Sequence, residues 1–177
     1  MSQPTRKGLK VDCKSSVKHL FKIVHEQIQE LQSIAQTHVQ DMKSEVSKWS
    51  LHEQLEHLNI TSRSTPRRIE EALQSSLAPE SKKNAITLFK NFVIDRYTEV
   101  APDFSIPKGT KVQKLLRTFK RLEEQFLALE PLLINIDTHF GKTQHPILGA
   151  LTAREWLMFM AIHQDHHLHI IHDIIKS

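Results

Sequence analysis

Apolar residues recur three and four positions apart along four long stretches, a spacing that commits most of the chain to amphipathic helices. In the first, about Ser15 to Asp41, the stripe is Val17, Leu20, Phe21, Val24, Ile28, Leu31 and Ile34. The second opens at "WSLHEQLEHL", where Ser50 and Glu53 have the spacing of a capping box with Ser50 as N-cap. It is expected to pass Thr65 with a kink at Pro66 and to end before Pro79. The third runs from about Thr110 to Leu129, with Val112, Leu115, Leu116, Phe119, Leu122 and Phe126 on one face. The fourth opens at "LTAREW", has a second capping box in Thr152 and Glu155, and reaches about Ile175.

The connections are unequal. Between the second and third helices, Asn84 to Tyr97 is expected to form a short helix, and residues 98–109, with Pro102, Pro107 and Gly109, a loop. Between the third and fourth, "DTHFGKTQHPILGA" is expected to be a loop. Only four glycines occur, β-branched alternation is weak and no internal repeat is visible. The expected fold is all-α, a four-helix bundle with a long connection between the second and third helices. The 177 residues make one domain, 1–177, with 1–14 as a flexible N-terminal segment.

Composition removes several function classes. Cys13 is the only cysteine, so no intramolecular disulfide and no cysteine-based zinc knot can form. The start "MSQPTRKGLK" lacks the apolar stretch of a signal peptide, and no run approaches the roughly 18 apolar residues of a membrane span. A soluble cytoplasmic protein without a membrane partner is expected. The net charge is +4, but the basic residues are dispersed and mixed with acidic ones, and there are only one Tyr and two Trp for base stacking. No nucleic-acid partner is expected.

The densest chemical feature is "HQDHHLHIIH", which holds five of the twelve histidines. On a helix advancing about 100° per residue, with His163 at zero, Trp156 falls near +20°, Phe159 near −40°, Met160 near +60° and Ile170 near −20°. His163 and, near +40°, His167 therefore share the apolar stripe. His166 sits on its edge, while His169 and His172 face away and are expected in solvent. Two imidazoles one turn apart on a dry face need either two sets of hydrogen-bond partners or one divalent cation that satisfies both. The sequence "HQDHH" lacks the glutamate of a zinc-protease helix. Candidates for a third ligand are His52, His57, His145 and several carboxylates. His57 lies off the main apolar stripe of its helix, on a face with Glu53, Ile60, Thr61 and Ser64, which faces either solvent or an internal cavity.

"WSLHEQLEHL", followed about a hundred residues later by "HPILGALTAREWLMFMAIHQDHHLHI", resembles the DinB/YfiT-like superfamily. The likeness rests on Trp49–Ser50 with Glu53 three residues on, a histidine four residues further, and H-x3-H in the last long helix. It covers the second and fourth helices; the first and third match only as amphipathic helices. The resemblance implies a bundle that holds a divalent metal through His57, His163 and His167; imidazole ligands suit zinc or nickel. It also turns the His57 face inward. Glu53 then has two roles, cap or carboxylate near the metal, and together with His166 it is a candidate for catalysis. His145 either approaches the site mouth or belongs simply to its loop.

Three neutral imidazoles leave coordination positions open, the pattern of a catalytic site. The resemblance implies a metal-dependent enzyme with thiol S-transferase-like or hydrolytic activity on a small molecule, such as a low-molecular-weight thiol, and homodimers are common in the family. Residues Asn84–Gly109 and Asp137–Ala150 would shape the substrate pocket. The alternatives are a non-catalytic metal- or ligand-binding protein of the same fold and a metal-free helical interaction module.

Overall fold

The computed structural model describes residues 15–38, 40–76, 111–146 and 148–177. The expectations for residues 1–14 and 84–109 lie outside them. The described chain is mostly helical. Helix α1, Val17–Thr37, starts at Ser16, whose hydroxyl accepts the His19 amide at 3.2 Å. Helix α2, Leu51–Ser62, and α3, Thr65–Gln74, follow, then α4, Val112–Leu127. A short 3-10 turn, Glu130–Leu132, and a one-turn helix α5, Leu133–Ile136, lead into strands β1, Lys142–His145, and β2, Gly149–Thr152. Helix α6, Ala153–Lys176, completes the chain.

Both capping boxes form, Ser50 with Glu53 and Thr152 with Glu155. Each satisfies two backbone amides that a helix start otherwise leaves without partners. The expected kink at Pro66 is instead a break. Arg63 and Ser64 form a turn that keeps helical dihedrals, and Pro66 falls in the first turn of α3. Proline has no N–H to donate and its ring crowds the carbonyl four residues back. In the first turn of a new helix neither defect matters.

The loop expected over Asp137–Ala150 is largely a β-hairpin. Strands β1 and β2 pair antiparallel, with Lys142 opposite Thr152 and His145 opposite Gly149. Gly149 has φ +82°, a left-handed conformation that side chains rarely adopt. The hairpin is fastened to the helices on two sides. Thr143 donates its hydroxyl to the Arg68 carbonyl at 3.1 Å and accepts the Trp156 indole N–H at 2.8 Å.

Helix directions follow from paired residues. Phe21 stacks on Phe126 with ring centroids 4.4 Å apart, His25 meets Glu123, and Gln32 reaches Phe119, so α1 and α4 run antiparallel. Arg154 binds the Ser15 carbonyl, Gln27 donates to the Ala161 carbonyl and Glu30 meets His172, so α1 and α6 run parallel. Gln54 meets His167 and His57 meets His163, so α2 runs against α6. Leu20, Ile28, Leu31, Leu51, Leu55, Leu58, Phe119 and Phe126 are fully buried in one core cluster. Burying each such side chain is worth about 1.5–3 kcal/mol. No described helix is long and apolar enough to cross a membrane.

Glu123 is the polar clasp of the α1–α4 seam. It accepts hydrogen bonds from Gln32 at 2.8 Å and Gln29 at 3.0 Å, with His25 Nε2 2.8 Å away. Burial acts to raise its pKa, but these bonds outweigh burial and hold the carboxyl below its usual range.

Candidate metal centre

The core packing of α6 against α2 brings three histidines together. His163 and His167 lie one turn apart on α6, and His57 comes from the middle of α2. One ring nitrogen from each lies within 4.8 Å of the others, and among the described residues the group includes no carboxylate or thiol. His57 and His167 are buried; His163 is partly exposed. His57 Nε2 and His163 Nε2 are 3.2 Å apart.

This donor set suits a divalent ion. The 3.2 Å between two of the nitrogens is short enough for both to reach one ion through zinc–imidazole bonds of about 2.0–2.1 Å. The protonation state suits it too. Burial, followed by the charge of His166, lowers His57 to about 4. Burial is also the main cause that holds His163 and His167 well below the ordinary value, with their histidine neighbours adding to it. Near neutral pH all three rings are uncharged, as metal ligands must be.

Aromatic groups surround the triad. The Trp49 ring lies 4.9 Å from that of His57 and 6.3 Å from that of His167, nearly parallel to the latter. Phe159 stacks on His163 at 5.3 Å. His145, carried by β1, packs edge-on against Phe159 at 4.6 Å and near Trp156 at 5.1 Å. Its Nδ1 accepts the Leu148 N–H at 3.1 Å, and burial lowers its pKa to about 4. His145 is therefore part of a strand that backs the site, not a residue of an open loop.

The other sequence candidates separate clearly. Glu53 serves the capping box, its carboxylate accepting the Ser50 N–H at 2.8 Å. The His166 ring lies 5.0 Å from that of His167 but outside the triad. His52 meets the His38 carbonyl with its ring, and Asp41 accepts its backbone N–H. His169 and His172 are half-buried instead of fully exposed, and His172 lies 2.6 Å from the Glu30 carboxylate on α1. An outward angle on one helix does not reveal a neighbouring helix that covers it.

Sequence reasoning missed Gln54. It is completely buried, and its Oε1 lies 2.7 Å from His167 Nδ1. Its position three residues before His57 was the one available signal, and a glutamine on a helix carries no chemical mark. In the sequence Trp49 reads only as part of the helix opening, whereas its ring walls the site.

A family model described as the DinB superfamily matches residues 25–171. No curated protein and no solved structure matches the chain.

Proposed function

We propose that this chain, which belongs to the DinB superfamily, is a divalent-metal-dependent enzyme. His57, His163 and His167 are the ligands in this reading, and zinc or nickel the metal. The reaction is a thiol S-transferase-like or hydrolytic one on a small-molecule substrate, with a low-molecular-weight thiol as the leading class. The carrying observation is that three uncharged imidazoles from two helices each bring a ring nitrogen within 4.8 Å of the others, with no carboxylate or thiol in the group among the described residues. Three protein ligands leave room for an exogenous group, as in catalytic zinc sites. An ion held there would supply Lewis acidity toward a thiol or water.

The protein's own residues would do the rest. Trp49 and Phe159 flank the imidazoles and keep bulk water from their faces. The partly exposed His163 marks the side of approach. His145, uncharged near neutral pH, is a polar but non-acidic neighbour. In the same reading the four long helical stretches form one four-helix-bundle domain, the protein is cytoplasmic, and it acts without nucleic acid or membrane, as a homodimer or alone.

Elemental analysis of the purified protein tests the first step, and one equivalent of zinc or nickel is expected. Turnover of thiol-conjugation and hydrolytic test substrates by the loaded protein tests the second. A non-catalytic metal protein of the same fold is the second reading, favoured by the burial of two of the three rings. It is the better one if His57→Ala lowers thermal stability while the loaded wild type turns over no substrate of either class.

A further inference from the structure

The side chains behind His167 form a chain of hydrogen bonds whose direction can be worked out atom by atom. The Trp49 carbonyl can only accept, so the Ser47 hydroxyl, 2.9 Å away, donates to it. With its one proton committed there, Ser47 Oγ accepts from Gln54 Nε2 at 3.0 Å, and also from the Trp49 N–H at 3.0 Å. That fixes which end of the Gln54 amide is which. Oε1 is the end left facing His167 Nδ1, at 2.7 Å. An amide oxygen cannot donate, so Nδ1 carries the proton. A neutral imidazole has only one, and Nε2 is left with the lone pair.

We propose that Gln54 is a positioning residue that fixes His167 as its Nδ1–H tautomer and so prepares Nε2 to bind the metal, with Ser47 and the Trp49 backbone setting the orientation of the amide. The inference rests on the metal-site reading for its purpose, but the tautomer stands independently of it. Free histidine favours neither arrangement strongly enough to hold a buried ligand in register; a fixed partner on the far nitrogen does that, and its loss typically costs 10–100-fold in metal affinity. The whole relay comes from residues 47–54. The segment that opens α2 thus prepares a ligand on α6 while α2 supplies His57 itself. Gln54 is fully buried and both ends of its amide are hydrogen-bonded, whereas the equally buried Gln164 leaves its Oε1 without a hydrogen bond.

The test uses the full chain. Long-range 1H–15N correlation of the histidine rings in the metal-free protein at pH 7.5 reports each tautomer. Wild type is expected to show His167 protonated at Nδ1. Gln54→Met, nearly isosteric but without donor or acceptor, is expected to lose that preference, and its zinc affinity in a competition titration to fall 10–100-fold. Gln54→Glu restores an acceptor and is expected to keep both the tautomer and an affinity within a few-fold of wild type. An Nε2–H tautomer in wild type, or an unchanged His167 signal in Gln54→Met, overturns the proposal. If wild type binds no zinc, the metal reading falls, and the tautomer spectra still decide the role of Gln54. If Gln54→Met does not fold, the wild-type spectrum and Gln54→Glu carry the decision.

Discussion

His57 Nε2 lies 3.2 Å from His163 Nε2, although the two residues are 106 positions apart. Two ring nitrogens this close either share one proton or share a cation. A ligand that binds only the folded chain adds stability by mass action, about 2.7 kcal/mol at a free concentration of 100 times Kd. For a chain of this size that corresponds to a rise in Tm of roughly 5–11 °C. Differential scanning fluorimetry with and without zinc should show it, and the shift should vanish in His57→Ala and His167→Ala.

The same cluster sets an acid limit on the metal-free protein. His57 drops from 6.5 to about 4 on folding, chiefly through burial. Below pH ~6.5 the unfolded chain therefore binds more protons than the folded one, and stability falls as pH is lowered. The loss grows until pH reaches the folded value near 4 and then levels off. For His57 alone it amounts to about 3 kcal/mol, with His163 and His167 adding in the same direction. Urea midpoints should decrease as pH falls from about 6.5 to 4.5, and saturating zinc should raise the whole curve without moving the onset of the decline, which the unfolded chain sets. A flat profile in the metal-free protein would falsify this account of the cluster.

Gly141 precedes β1 in close contact with the end of α3. A Cβ added there would run into the carbonyl oxygens of Ala72 and Ser75, which are backbone and cannot swing away. Gly141→Ala is expected to cost about 1–3 kcal/mol, the range for overpacking a filled site. Chemical denaturation measures it. Because the hairpin carries His145, the variant should also disturb the ring signals of His145 and Phe159.

Glu123 accepts from three side chains on α1. Glu123→Ala leaves part-buried His25 and Gln32 without their acceptor, while exposed Gln29 turns to water, and should destabilise by about 1–3 kcal/mol. Its folded pKa is depressed, so the stabilisation is present above about pH 4.5, where the unfolded carboxyl is ionised, and fades as pH falls through the folded value. The gap in urea midpoint between wild type and variant should therefore narrow in acid. Zinc binding should be unaffected, since Glu123 ties α1 to α4 and the triad sits between α2 and α6.

The helices were the legible part of the fold. Periodicity located α1, α4 and α6 to within a few residues, because each buries one continuous stripe, and the serine and threonine caps marked two helix starts. The phase of α6 placed His163 and His167 on one face. It could not place His57, whose helix buries more than its apolar stripe: Gln54, Glu56, His57 and Asn59 are all buried beside Leu55 and Leu58. A pattern that treats polar residues as outward-facing must fail on such a helix, and only the family resemblance turned it inward. The β-hairpin left no trace because Lys-Thr-Gln-His has no apolar alternation; Thr143 is held there by Arg68 and Trp156, partners remote or unmarked in sequence. Gln54 was invisible for a related reason, since its role depends on which end of an amide faces a ring.

The wide separation of the ligands has a kinetic consequence. Helix formation takes about a microsecond or less, whereas contacts far apart in sequence must wait for long loops to close. His57 and His163 join across 106 residues, so competence to take up metal arises only after α2 and α6 have docked. In a refolding experiment, uptake of a chromogenic divalent ion should lag behind the helical signal. The triad would then act as a clock for the last long-range step of folding.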